Sequence, residues 1–380
     1  MENTDKIKLL LIADTYYPKV DGTMKFMGEF LKRAEGDFEI SLLVPNFGQK
    51  KGSNVTYMDV SKYWQVSDYP SIKFSRYNRG LIKEQIRKAD LIFVQGPALA
   101  SYLGIKYAHH YGKPVVFYVH TITWELFDKF LPKLLKKVMF GIIKWKCLQY
   151  YNLCNEILVP YHDLKSQLEH SGVETKISVA KLGVDIVKFS PVFDKKPWKI
   201  KLGIAPERIV IGYVGRISKE KNVKMLLDGF NKLRNRRNNF LLVVGDGPEE
   251  QVQPFKENSN CLVTGFVDNV EDYLKAMDVF VMPSLTETTS LATLEAMSSG
   301  LPVVVTKVGF IKQYVVKDYN GLFFPKNSSS LLAMKIERIL KDTELKNRLG
   351  QNARKTISYS FSWERSINRI KRLLKRYGEE

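Results

Sequence analysis

Short apolar runs alternate with helical patterns through the first half of the chain, and near Ile209 the same alternation begins again. In the first half the runs are Ile7–Ala13, Phe38–Val44, Asp90–Gln95 and Pro114–Val119, with helical patterns over Lys25–Ala34 and Leu99–Tyr111. In the second half they are Ile209–Val214, Phe240–Val244, Cys261–Thr264, Val279–Met282, Pro302–Val305 and Gly321–Phe324. A strand that is apolar on both sides needs a layer on each face, which means a parallel sheet between helices. The fold class predicted is therefore α/β, with two Rossmann-like doubly wound units. The expected domains are 1–190, a proline-marked linker at 191–206, a second domain at 207–360 and a closing helix at 361–380. A chain of 380 residues is long enough for two such cores.

Composition narrows the class further. No run of 18 apolar residues occurs, so no membrane-spanning helix is expected. The start, MENTDKIKLLLIAD, lacks a small-residue cleavage site, which argues against a signal peptide. Cys147, Cys154 and Cys261 form no Cys-x-x-Cys, which points to a reducing compartment without disulfides or structural zinc. The net charge of +19 is the anomaly, and it calls for an anionic partner or a solvated basic surface.

Ligands of open α/β sheets sit at the carboxyl ends of the strands, so the loops there are where chemistry is expected. After the first strand, Asp14–Thr23 leads into a helix, and Gly22 lets backbone approach a ligand at a helix N-terminus that favours anions. After Ile209–Val214 comes Gly215-Arg216-Ile-Ser-Lys-Glu-Lys221. An arginine fork and a lysine charge beside a helix N-terminus suit a diphosphate; the competing reading is a solvated basic loop. The strongest signal is Glu287 and Glu295, in the loop after Val279–Met282 and in the helix that follows. Carboxylates accept hydrogen bonds from sugar hydroxyls, and Glu295, flanked by Leu294, Ala296 and Met297, needs a partner. His120 follows a strand and precedes the polar-aromatic stretch Thr121–Trp124, which places it at the edge of a ligand site or, alternatively, in the core.

Taken together these segments resemble the retaining family-4 glycosyltransferases of GT-B architecture. The resemblance rests on DTYYPKVDG, YVHT, Gly183-Val184-Asp185 with Phe189, GRISKEK, LLVVGDGPEE, the Glu-x7-Glu segment and SGLPVVVT, and it spans nearly the whole chain. It implies two domains facing across a cleft and a C-terminal helix, from Phe361-Ser362-Trp363-Glu364, that crosses back to the first domain. It implies that Arg216 and Lys221 hold the donor diphosphate, that Glu295 accepts from the ribose and that Glu287 contacts the transferred sugar. His120 matches a histidine near the reacting sugar, and Gly22 a loop that closes on the diphosphate. His120 and Glu287 are thus the candidate catalytic residues. Three departures stand out: Thr288-Thr289-Ser290 where a glycine is usual, Leu182 where asparagine often precedes Gly-Val-Asp, and Asp21-Gly22 where two glycines are common.

The reaction so implied moves a hexose of glucose or mannose type from a uridine or guanosine diphosphate sugar. No Asp-x-Asp pair occurs, so a site without metal or other cofactor is expected, with cations stabilising the leaving group. The nature of the acceptor is read from charge. Lys129–Lys146 holds six lysines and no acid. Lys129, Lys133, Lys136, Lys137 and Lys144 share a sector about 100° wide, with Trp145 and other apolar residues opposite. A basic amphipathic helix suits an anionic membrane surface, or else a domain helix with its apolar side in the core. The C-terminal helix adds Arg365, Arg369, Lys371, Arg372, Lys375 and Arg376. With no nucleic-acid-binding signature, the expectation is a lipid or lipid-linked acceptor and a peripheral location at the cytoplasmic face of the membrane. A soluble or polysaccharide acceptor is the alternative, and a nucleic-acid-binding protein a more distant one.

Overall fold

In a computed structural model, residues 6–18, 22–48, 52–66, 69–128, 136–235 and 237–379 are described. The chain divides into two compact units, one of residues up to Lys181 together with Glu364 onward, the other Leu182–Trp363.

The first unit runs β1 Ile7–Ala13, α1 Gly22–Ala34, β2 Phe38–Pro45, β3 Val55–Met58, β4 Val60–Val66, β5 Tyr69–Ile72, α2 Arg76–Lys88, β6 Leu91–Gln95, α3 Leu99–His110, β7 Val115–Tyr118, α4 Thr123–Asp128, α5 Lys136–Tyr151, β8 Glu156–Val159, α6 His162–His170 and β9 Ile177–Val179. Its parallel sheet has the order β3-β2-β1-β6-β7-β8-β9, and β4 and β5 form a separate antiparallel hairpin. Every residue of β6, β7 and β8 is buried, as a sheet covered on both faces requires.

The second unit runs α7 Lys196–Lys201, β10 Ile209–Val214, α8 Val223–Phe230, β11 Asn239–Val244, α9 Glu249–Lys256, β12 Cys261–Val263, α10 Val270–Ala276, β13 Val279–Met282, α11 Leu291–Ser298, β14 Val303–Thr306, α12 Ile311–Tyr314, β15 Gly321–Phe324, α13 Ser329–Lys341 and α14 Thr343–Ser360. Its sheet is wholly parallel, ordered β12-β11-β10-β13-β14-β15. The doubly wound α/β fold expected of each half is what forms.

The final helix, α15 Trp363–Gly378, belongs to the first unit from Glu364 onward. Ile367, Ile370 and Leu374 are its fully buried stripe. Lys371 and Lys375 both pair with Asp37 at the end of α1, at 2.7 and 2.6 Å, and hold its carboxyl below the usual range. Arg376 and Tyr377 bond Glu156 Oε2 at 2.6 and 2.8 Å. Three basic residues of this helix therefore neutralise acids of its own unit.

The stretch expected to be a linker, 191–206, is instead part of the second unit, and the division falls at Lys181/Leu182. Pro197 sits in the first turn of α7, where a missing N–H is harmless, so the prolines mark a helix start rather than a flexible hinge. From α7, the buried Lys199 reaches Asp278 at 2.8 Å, and Lys346 reaches the other carboxylate oxygen at 2.9 Å. Lys195 lies close enough to add its charge. Burial raises the Asp278 pKa, but the three ammonium groups outweigh it and hold the carboxyl at about 2. Because the folded value is depressed, this stabilisation is complete above an unfolded value of about 4 and is lost as pH falls toward 2. Asp278→Asn leaves the lysines without their counter-charge, a loss of about 3–5 kcal/mol. A thermal melt should show the midpoint lowered by about 10 °C at neutral pH, and an unchanged midpoint would show that the lysines find other partners.

Candidate functional site

In the second unit β10 has β11 on one side and β13 on the other, so the strand order reverses between β10 and β13. The loops leaving these two strands border the crevice that such a reversal opens. They carry Arg216 and Lys221 after β10, and Glu287 after β13. Lys221 Nζ donates to Glu287 Oε1 at 2.7 Å, and Ser284 Oγ donates to the same oxygen at 2.7 Å. Glu287 Oε2 accepts no hydrogen bond among the described residues. The lysine read as a diphosphate cation and the glutamate read as a sugar contact are thus a single ion pair.

Further bonds stitch the two loops together. Leu285 N–H donates to Glu220 O at 2.9 Å, Thr286 Oγ1 to Glu220 Oε1 at 2.8 Å, and Asn222 Nδ2 to Pro283 O at 3.2 Å. Arg216 is exposed on the same loop, its carbonyl accepting from Tyr213 Oη at 2.7 Å. Burial, with the nearby Glu287 charge, pushes the Tyr213 hydroxyl well above its ordinary pKa, so it remains a donor. Past the strand ends, Ile217 N–H donates to Asp246 O at 2.7 Å, which lays the Gly245–Gly247 turn against the Arg216 loop. Gly245 is required there, because a Cβ would run into the Gly215 carbonyl.

The segment Thr288-Thr289-Ser290, where the resemblance expects a glycine, keeps the conformation a glycine would favour. Ser290 caps α11 with φ 56°, in the left-handed region. Thr288 O accepts from Phe310 N–H at 2.8 Å and Thr289 O from Tyr314 Oη at 2.8 Å. The Thr289 hydroxyl is buried with no partner among the described residues. Glu295 is 3% exposed within α11, so it is not the solvent-facing helix charge that its position alone would allow.

The first unit places a second polar cluster at the carboxyl edge of β1, β6 and β7. Asp14 accepts from Ala98 N–H and Ala100 N–H at 2.8 Å each and from Ser101 Oγ at 2.5 Å, capping α3 from a distance. Burial raises its pKa against the opposing pull of these bonds. His120, just past β7, packs against the rings of Tyr118 (4.5 Å between centroids) and Phe26 (5.5 Å). Its Nε2 is 2.8 Å from Gln95 Oε1. Burial pushes the imidazole down to about 3, so it is neutral at physiological pH. Gly22 is the exposed first residue of α1. Sequence reasoning missed Gln95 and Asp14; the signal was a polar residue ending an apolar strand, in each case at a carboxyl edge.

Lys129 and Lys133 lie outside the described residues, and Lys136 and Lys137 begin α5 with side chains that are also outside them. Further along, α5 buries Cys147 and Tyr151, while Ile142 and Trp145 are 56% and 52% exposed. Lys144 sits over the Trp124 ring at 5.9 Å and Lys146 over that of Trp145 at 4.6 Å. The two apolar residues therefore point away from the core. No helix among the described residues is long and apolar enough to cross a membrane.

Residues 23–188 match the model of Glycosyltransferase Family 4, and residues 194–356 that of Glycosyl transferases group 1. The chain is 28% identical to an alpha-monoglucosyldiacylglycerol synthase of Acholeplasma laidlawii over 374 residues, 91% of this chain and 92% of that protein. It is 29% identical to the sulfoquinovosyl transferase of Arabidopsis thaliana over 294 residues, 75% of this chain but only 56% of the plant protein's length. Crystalline Anabaena HepE in complex with UDP superposes with a TM-score of 0.79 at 18% identity, covering 97% of this chain and 100% of that one. The fold is that of the GT-B glycosyltransferases.

Gly309, with φ 50°, presses against the Glu287 carbonyl, and a Cβ there would run into that oxygen. Gly309→Ala should therefore displace the Glu287 loop and destabilise the unit by about 1–3 kcal/mol. Gly141→Ala, in the open interior of α5, is the control and should be neutral or slightly stabilising. Equal denaturant midpoints for the two variants would count against this tight packing.

Proposed function

We propose that this chain, a two-unit protein of the family-4 glycosyltransferase type, is a retaining hexosyltransferase that takes a glucose- or mannose-type sugar from a nucleoside diphosphate and delivers it to a membrane lipid or lipid-linked acceptor. The observation that carries this reading is the convergence of Arg216, Lys221 and Glu287 where the second sheet reverses its strand order. An arginine fork and a lysine bind a diphosphate, and the carboxylates of Glu287 and Glu295 accept from hydroxyls of the sugar and the ribose. The UDP bound by HepE and the lipid products in the relatives' names support the same assignment.

In the reaction the bond from the sugar C1 to the diphosphate oxygen breaks with its electron pair, and negative charge grows on the leaving group. Arg216 and Lys221 stabilise that charge without a metal. Lys221 then exchanges part of its bond to Glu287 for the phosphate, which releases a carboxylate oxygen toward the sugar. The acceptor oxygen bonds to C1 on the face the diphosphate leaves, and its proton passes to a leaving phosphate oxygen. His120 and Gly22 serve as ligand contacts on the first unit.

A membrane surface is the proposed location of the acceptor, at the cytoplasmic face. Ile142 and Trp145, exposed on a lysine-rich helix, are the residues expected to enter the interface, with each nearby lysine adding about 1 kcal/mol against anionic lipid.

Two experiments test these assignments. In the first, a panel of labelled nucleotide sugars is mixed with anionic liposomes containing membrane lipids, and label in the organic phase is counted. Wild type should transfer label from one donor, and Arg216→Met should lower kcat/KM by about 10²–10³-fold. Consumption of donor with no label in lipid would point to a soluble acceptor instead. In the second, Ile142→Ser combined with Trp145→Ser should weaken sedimentation with phosphatidylglycerol vesicles while leaving the melting temperature unchanged. Undiminished sedimentation would remove α5 from the membrane contact.

A further inference from the structure

Gln95 ends β6, in register with Ala13 on β1 and Tyr118 on β7. It is a long polar side chain with no exposed surface. Its amide oxygen lies 2.8 Å from His120 Nε2. A carbonyl oxygen only accepts, so Nε2 carries the proton. A neutral imidazole has a single N–H, which leaves Nδ1 as a bare lone pair. The two aromatic rings packed on the imidazole do not compete for its nitrogens. Phe26 of α1 is apolar, and Tyr118 Oη donates to Ala180 O at 2.5 Å.

We propose that Gln95 is a positioning residue that locks His120 in its Nε2–H tautomer and so presents Nδ1 as a hydrogen-bond acceptor to a hydroxyl of the bound ligand. This rests on the reading of His120 as a ligand contact in a sugar-transferring enzyme. Two unfilled groups mark the same edge as one that a ligand or its water completes. Gln95 Nε2 is a buried donor with no partner among the described residues, and Thr15 Oγ1, two residues past Ala13, is a buried hydroxyl in the same condition. A buried polar group is ordinarily paired, so an orphan amide beside the histidine and an orphan hydroxyl just past the end of β1 call for partners the protein does not provide. The choice of an amide also has a reason. A glutamate in its place would stabilise the imidazolium, turn both ring nitrogens into donors and abolish the acceptor.

The test combines ¹⁵N NMR of the His120 ring with steady-state kinetics on the folded, full-length protein. Wild type should show a single Nε2–H tautomer and no protonation from about pH 8 down to about pH 5. Gln95→Leu should mix the tautomers and lower kcat about tenfold with little change in the donor KM, the effect of one lost neutral hydrogen bond. Gln95→Glu, a second variant of nearly the same size, should raise the His120 pKa and make the rate fall with decreasing pH across that range, a dependence wild type lacks. An Nδ1–H tautomer in wild type overturns the proposal. So does a folded Gln95→Leu protein with one tautomer and unchanged kcat. Full activity of His120→Ala would instead overturn the reading of His120 as a substrate contact, while the tautomer measurement still reports on Gln95.

Discussion

A parallel sheet has to be covered on both faces, and the rest of this structure follows from meeting that demand twice. In the second sheet each strand is followed by a helix, so each carboxyl end opens into a loop that leads to one. Where the order reverses, between β10 and β13, neighbouring loops leave toward opposite faces. The Lys221–Glu287 pair sits there with its supporting bonds from Ser284, Glu220 and Asn222. The site is therefore made of loops, but loops whose ends are fixed by buried strands and whose backbones are bonded to one another.

Excess positive charge is partly structural in this protein. Asp278 is held by lysines from α7 and α14, Asp37 by two lysines of α15, and Glu156 by Arg376 and Lys176. In each case one carboxylate organises two or more cations, so the local sum stays positive even where every charge has a partner. Other basic residues, Arg216 and Lys146 among them, are exposed. Part of the lysine excess thus serves to hold the fold.

The second sheet was legible in the sequence: Ile209–Val214, Val279–Met282 and Gly321–Phe324 form strands with the limits their apolar runs suggest, because burial on both faces leaves little choice of residue. The short strands β3, β5 and β8 were not. β8 opens on Glu156, a buried acid whose hydrogen-bond partners Arg376 and Tyr377 arrive from about 220 positions later. No local pattern carries that information. The same holds for Gln95, an unremarkable strand end until folding sets it against His120. The loop residues Arg216, Lys221 and Glu287 were legible as a group, but their mutual ion pair was not, since it depends on how two crossovers diverge. The prolines of 191–206 misled because Pro197 serves equally well to start a helix.

The return of α15 to the first unit sets an order of events in biosynthesis. Residues 182–363 form a contiguous unit that has all of its strands once they have left the ribosome. The first unit, although made earlier, waits for residues from Glu364 onward before Asp37 meets Lys371 and Lys375, Glu156 gains Arg376, and Ile367, Ile370 and Leu374 cover its surface. Until then the Asp37 carboxylate and an apolar strip of the older half stand uncovered, so the half synthesised first is completed last, and the nascent chain needs shelter longest at its beginning.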